Sequence, residues 1–234
     1  MLNDMYSEMN KIPRGSSVLK VPSIRHNDKN SIIKNYYQLE KSTIHDEVLA
    51  EFIVSVINEP LFDALRSREQ LGYGVSCTLR KNFGVLGISI TVEYQENKNC
   101  VTLIDNKIEE FLRSFYQVLK ALTQLEVAAA KRSMVSVKMI DDTDLEKEVI
   151  RNWNEIRTGE FVFDRNDLEA FEIEKLTTAE IVQFYKETFM SSRRKLSIQV
   201  VGNVNQSDVE VMSEKFISEL RDCKKKLVTF DVLS

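Results

Sequence analysis

The stretch Glu59-Pro60-Leu61-Phe62-Asp63-Ala64-Leu65-Arg66-Ser67-Arg68-Glu69-Gln70-Leu71-Gly72-Tyr73-Gly74-Val75 is where the hydrophobic period of the chain changes from 3.6 to 2. Upstream of it, Val48, Leu49, Phe52, Ile53, Val56 and Ile57 recur at helical spacing behind Ser42 or Thr43, either of which can cap a helix. Downstream, Tyr73, Val75, Cys77 and Leu79 alternate with Gly74, Ser76, Thr78 and Arg80, the pattern of a half-buried strand. The first helix is expected to stop at Asn58-Glu59-Pro60. Pro60 then suits the first turn of a shorter helix, Leu61 to about Glu69, because its fixed φ is helical and its missing N–H is not needed there. Lys81-Asn82 is expected to turn the chain into a second alternating run, Phe83 to Tyr94, with Leu86, Ile88, Ile90 and Val92 on one face, so that the two runs form a β-hairpin.

Further out, Ser31 to Glu40 reads as a strand through Ile32, Ile33, Tyr36 and Tyr37. Residues 10–30, with Pro13, Gly15, Ser16, Ser17, Pro22, Asn27 and Asp28, read as a connector. On the C-terminal side, Val101 to Leu119 carries an apolar stripe about five turns long. Capping boxes at Thr123-Gln124-Leu125-Glu126 and Thr177-Thr178-Ala179-Glu180 open further helices. Asp144 to Arg157 and Asp167 to Leu176 are helical in pattern, Lys195 to Val201 is a strand, Ser207 to Leu220 a last helix, and Leu227 to Leu233 strand-like. A hairpin with runs of helices on its far side is an α+β order and lacks the regular alternation of a doubly wound fold. A length of 234 residues suits one large domain behind a connector, 31–234 after 1–30.

Charge and composition exclude several functions. With 32 Lys plus Arg against 36 Asp plus Glu, a net charge of −4 offers no field for nucleic acid. No apolar run approaches the length that spans a membrane or serves as a signal peptide. Three cysteines, Cys77, Cys100 and Cys223, without CxxC spacing, fit a reducing, cytoplasmic setting. Zinc motifs of the HExxH or HxxEH type need two histidines one helical turn apart. His26 is followed at that spacing by Lys29 and Asn30, and His45 by Val48 and Leu49, so neither frame holds zinc. Gly72-Tyr73-Gly74 and Gly84-Val85-Leu86-Gly87 complete no phosphate loop, and Gly87 is expected to mark a bulge or a close backbone approach. Asp141, Asp142 and Asp144 lack the glycine and closing Glu of a calcium loop and read as capping residues. Lys224-Lys225-Lys226 reads as a solvated basic run.

The helix-to-strand junction presents Arg66 and Tyr73, a guanidinium and a phenol, both donors suited to peptide carbonyls or a developing oxyanion. The bland alternative is that Arg66 pairs with a surface carboxylate and Tyr73 packs in the core.

Glu59-Pro60, Leu65-Arg66, Gln70-Leu71-Gly72-Tyr73, Phe163-Asp164-Arg165 and Phe184-Tyr185-Lys186 resemble the M16 metallopeptidases in their nardilysin and insulysin branch, collinearly from about 33 to 202. Gly84 to Val92, Lys107 to Leu112, Arg151 to Glu155 and Leu196 to Gly202 look more like the nardilysin side. The resemblance implies an M16 domain, a mainly antiparallel sheet packed with several helices on one side. It implies the zinc-free C-terminal domain of a chain several times longer, folded as two halves around a chamber in which peptides are cleaved. The N-terminal half would carry HxxEH and Zn²⁺ and be this domain's partner. Arg66 and Tyr73 would contact the substrate backbone near that metal as auxiliary residues. This chain would hold no catalytic residue in isolation and no metal, and would be inactive alone. Gly74 departs from the bulkier residue expected after Tyr73. The competing reading is a non-catalytic M16-like scaffold that binds peptides or partners.

Overall fold

Thr43 opens the first helix. Its Oγ1 accepts the Asp46 N–H at 3.2 Å while the Asp46 carboxylate accepts the Thr43 N–H at 3.1 Å, a reciprocal cap of the kind that contributes about 1 kcal/mol. The helix, α1, spans Ile44–Phe62 and buries Val48, Leu49, Phe52, Ile53, Ile57 and Leu61, each worth about 1.5–3 kcal/mol. These coordinates are a computed structural model and describe residues 9–25, 28–41, 43–82, 84–95, 100–191, 193–202 and 228–230.

The break expected at Pro60 does not occur: Pro60 lies inside α1, and the winding widens into a π-helical segment at Asp63–Arg68. Proline removes the N–H that would meet the Val56 carbonyl, yet Ile57, Leu61 and Leu65 on either side of it are each 1% exposed or less. Burial of that stripe outweighs one missing hydrogen bond.

Five strands form the main sheet in the order β2-β6-β3-β5-β4. They are β2 (Gly15–Pro22), β3 (Asn30–Lys41), β4 (Gly74–Asn82), β5 (Val85–Gln95) and β6 (Arg194–Val201), and β1 (Met9–Lys11) pairs separately with β7 (Val228–Phe230). All neighbours in the main sheet are antiparallel except β2, which runs parallel to β6 over its whole length. This differs from the connector expected over 10–30. The proline and glycine that suggested a loop sit at the strand's two ends, and Leu19 between them is buried. The hairpin turns at Gly84, with φ 73, between the paired Asn82 and Val85 rather than at Lys81-Asn82.

Register puts Ile33, Tyr37, Val75, Cys77, Ile88, Ile90 and Val92 on one face of the sheet, and the helices cover it. Against β3 lies α2 (Val101–Ala121), burying Val101, Ile104, Ile108, Leu112, Phe115 and Leu119, while Val118 at 54% exposure falls outside the stripe. Around α1 stack α3 (Gln124–Lys138), α5 (Arg165–Lys175) and α6 (Thr178–Lys186), with α6 running into a π-helical turn at Glu187–Ser191. The expected capping boxes at Thr123 and Thr177 are both formed. The intervening α4 (Leu145–Thr158) starts on Asp144, whose carboxylate accepts the Lys147 N–H at 2.9 Å, and stops at Gly159 in the left-handed conformation. Gly87 is a close approach as well as a neighbour of the register shift in β3: a Cβ there would lie 2.3 Å from the Tyr36 ring. The helix expected at Ser207 to Leu220, Cys223 and the lysine run lie outside the described residues.

Two polar assemblies sit inside this layer structure. Lys195, 1% exposed, donates to Asp105 at 2.5 Å and to Glu109 at 2.8 Å, with the Tyr37 hydroxyl and Arg193 on the same Glu109 carboxylate. Arg165 bonds Glu47, Glu155 and Glu160, while Lys81 bonds Glu47 and Glu160 and Lys138 bonds Glu51 and Glu169. That second network ties the start of α1 to β4, α3, α4 and α5.

Candidate functional site

Leu65 and Leu71, both buried, anchor a short loop between the π-helical segment and β4. Inside it the Glu69 N–H meets the Ala64 carbonyl at 3.1 Å and the Leu71 N–H meets the Leu65 carbonyl at 2.9 Å. Gln70 takes φ 52, a left-handed conformation that costs a non-glycine residue about 1 kcal/mol. Gly72 is required sterically, since a Cβ would lie 2.8 Å from the Glu93 carbonyl and 2.7 Å from Val92 Cγ1. That close approach lets the Tyr73 N–H reach the Glu93 carbonyl at 2.9 Å and start the hairpin register.

On this loop the two residues singled out by sequence are both outward-facing. Arg66 is exposed on the π-helical turn, its guanidinium 5.0 Å from the centroid of the Phe62 ring, with no ion pair among the described residues. The neighbouring Arg68 is the one that pairs, with Asp63 at 2.7 Å. Tyr73 is 46% exposed rather than packed in the core, and stands one residue before β4. Partial burial, then the charges of Glu93 and Asp28, push its phenol above the ordinary value, so it is a proton-bearing donor at neutral pH.

One residue here escaped the sequence reading. Glu93 is paired with Gly74 across the hairpin, and its carboxylate lies 3.2 Å from where a Gly74 Cβ would be. Among the described residues it has no cation partner. The carboxylate therefore lies over the face of Gly74, the position where a bulkier residue was expected. The signal was in the alternation, since correct hairpin register alone places Glu93 opposite Gly74. Below the loop, Lys107 bridges Glu69 and Glu110 at 3.2 Å each, bracing the π-helical segment against α2 beside a cavity of about 200 Å³.

Metal chemistry finds no footing among the described residues. His45 has Glu172 3.1 Å from Nδ1 and Glu180 3.9 Å from Nε2, so the carboxylates sit on opposite sides of the ring and cannot share one ion with it. No group of three His, Cys, Asp or Glu is arranged to hold a metal there. Of the acidic trio, Asp144 caps α4 and Asp142 pairs with Arg151. Cys77 is buried, which pushes its thiol up to about 12 and leaves it inert as a nucleophile.

The family described as PQQ synthase PqqF-like, C-terminal lobe domain 4, matches residues 52–153, a span that includes the whole Arg66–Tyr73 loop. Nardilysin from Homo sapiens is 35% identical over 192 residues, 82% of this chain and 17% of its own length. The chain is an M16-type C-terminal domain. This M16 domain is also 26% identical to insulin-degrading enzyme from Drosophila melanogaster, over 88% of the chain and 21% of that protein. In fold it is similar to pitrilysin, with a TM-score of 0.73 at 15% identity over 85% of the chain and 21% of that structure. The M16 domain therefore spans about a sixth of the length of the nardilysin it matches.

Proposed function

We propose that this M16 domain is the zinc-free C-terminal domain of a metalloendopeptidase and lends two hydrogen-bond donors, Arg66 and Tyr73, to the backbone of a peptide held against it. The observation that carries this reading is that both side chains are exposed and neither is neutralised by an internal carboxylate, on a loop whose path is fixed by Gly72. An unpaired guanidinium is a donor only, a protonated phenol can donate its O–H, and peptide carbonyls are acceptors. Zn²⁺, with the chemistry of water activation, would come from an N-terminal half of the same enzyme, since no group among the described residues is arranged to hold it. Two free cysteines among the described residues accord with a cytoplasmic location, and among those residues no helix is long and apolar enough to cross a membrane.

The test is peptide hydrolysis by the enzyme that contains this domain together with its N-terminal half. Arg66→Ala and Tyr73→Phe are each expected to lower kcat/KM by up to about 100- to 1,000-fold, the range for losing one donor to a developing charge, with circular dichroism unchanged. Unaltered kcat/KM in both variants would overturn the assignment. The second reading, a scaffold that binds partners without catalysis, draws on the apolar surface of α4. A reading frame upstream of Met1 that continues into HxxEH decides for the peptidase.

A further inference from the structure

Between the end of α3 and the start of α5 lies a cleft of about 450 Å³, within the range of ligand pockets, about 300–1,000 Å³. Its apolar lining is Met139 and Ile140, 56% and 64% exposed where α3 runs out, and Phe163, 48% exposed just before α5. The frame of the cleft is held from inside. Arg151 of α4 donates through Nε to Asp142 at 3.0 Å and through Nη1 to the Phe163 carbonyl at 3.1 Å, so one guanidinium ties together the two loops on either side of the opening. Lys138, also in the lining, is drawn inward onto Glu51 at 2.8 Å and Glu169 at 2.5 Å.

The charge of the lining decides what it accepts. Both of its cations are consumed by carboxylates, Arg151 by Asp142 and Lys138 by Glu51 and Glu169. Three further carboxylates, Asp141, Asp164 and Asp167, line the cleft and form no ion pair among the described residues. Asp164 is the N-cap of α5, yet its side chain caps no backbone N–H, so its carboxylate is not spent on the helix. The positive end of the α5 dipole offsets about half a charge of the three, which leaves the cleft acidic. Lysine and arginine match such a lining, because the charged head pairs with a carboxylate while the methylene stem covers apolar surface. Arginine also stacks on an exposed aromatic ring such as Phe163. Phosphates, nucleic acid and anionic lipid are repelled by the same three charges.

We infer that this cleft is the docking site of a basic peptide segment on a partner protein, one that sets an arginine or lysine beside an apolar residue. The cation meets Asp164 and Asp167, and the apolar side chain lies on Met139, Ile140 and Phe163. The site is separate from the Arg66–Tyr73 loop, involves no cleavage and does not depend on the function proposed for that loop.

The experiment uses the 234-residue chain and a fluorescein-labelled pentapeptide, acetylated and amidated, with arginine at its first, third and fifth places and leucine between them. Fluorescence anisotropy at about 0.1 M salt is expected to show saturable one-to-one binding, weakened severalfold at about 1 M, where the Debye length falls from about 10 Å to about 3 Å. The same peptide with glutamate in place of arginine is expected not to bind. Asp164→Asn combined with Asp167→Asn is expected to weaken binding about fivefold. Phe163→Ala leaves every charge in place and is expected to weaken it by a similar factor. Glu59→Gln combined with Glu174→Gln removes the same net charge from exposed positions outside the cleft and is expected to leave binding within about twofold. No saturation up to about 1 mM peptide, equal binding of the glutamate peptide, or unaltered binding in the cleft variants would each overturn the inference. So would equal weakening by the Glu59 and Glu174 pair, a response to net charge alone, or peptide binding that is lost as the chain is concentrated, the sign of a second copy filling the cleft.

Discussion

Lys195 is the side chain on which the helix-bearing face of the sheet most depends. Its ammonium is buried between Asp105 and Glu109, and it is the one cation that joins the two carboxylates, which also accept from Asn35, Tyr37 and Arg193. Replacing one partner of a buried ion pair costs far more than the pair is worth, because the other charge is left uncompensated. Lys195→Met is accordingly expected to lose about 3–5 kcal/mol in urea denaturation at neutral pH, although the side chains are similar in volume. Burial alone would raise the Glu109 carboxyl, but the Lys195 bond and charge, the Arg193 charge and the Tyr37 hydroxyl outweigh it and hold it below the ordinary value. A carboxylate depressed in the folded state contributes stability above its unfolded value, near 4.3, and loses it as pH falls through the folded one. Glu109→Gln should therefore flatten the acid limb of the stability curve below about pH 4. An acid limb that kept its slope would show that Glu109 is not the group responsible.

At the scale of elements, α1 shows a local rule overruled by its surroundings. Pro60 lacks the donor for one turn and still lies within the helix, so the proline is a burden carried by the buried Ile57, Leu61 and Leu65. Pro60→Ala restores that donor and is expected to raise stability by about 1–3 kcal/mol, read from the midpoint of thermal or urea unfolding. A fall would mean that the π-helical segment depends on the proline. The same contrast explains how much the sequence revealed. The helix stripes, the capping boxes at Thr123 and Thr177 and the hairpin were legible because periodicity and caps are local properties. The strand Gly15–Pro22 was not, because its partner β6 lies far along the chain and its flanking glycine and proline imitate a loop. Arg66 and Tyr73 were legible as residue types at an element junction, and the fold leaves Tyr73 half exposed and sets Arg66 over the Phe62 ring. Glu93 was hidden by a hairpin turn misplaced by about two residues, since register error scrambles cross-strand neighbours.

For the whole molecule, β2 decides where the sheet ends. It covers the outer edge of β6 and buries Leu19. Removing residues 1–22 should uncover that edge, lower stability by more than about 2 kcal/mol from the lost Leu19 burial and strand pairing, and promote aggregation through the newly open strand. A truncated chain that unfolds at the same urea concentration as the intact one would mark those residues as a linker after all. The topology also bears on how the chain is made. β3 is flanked by β5, which follows closely, and by β6, which begins only at Arg194. At about 5–20 residues per second of synthesis, the hundred or so residues between them keep one edge of β3 unpaired for roughly 5–20 s. Over that interval the nascent sheet exposes a template for other chains, so the burden of this fold falls on whatever shields polypeptides as they leave the ribosome.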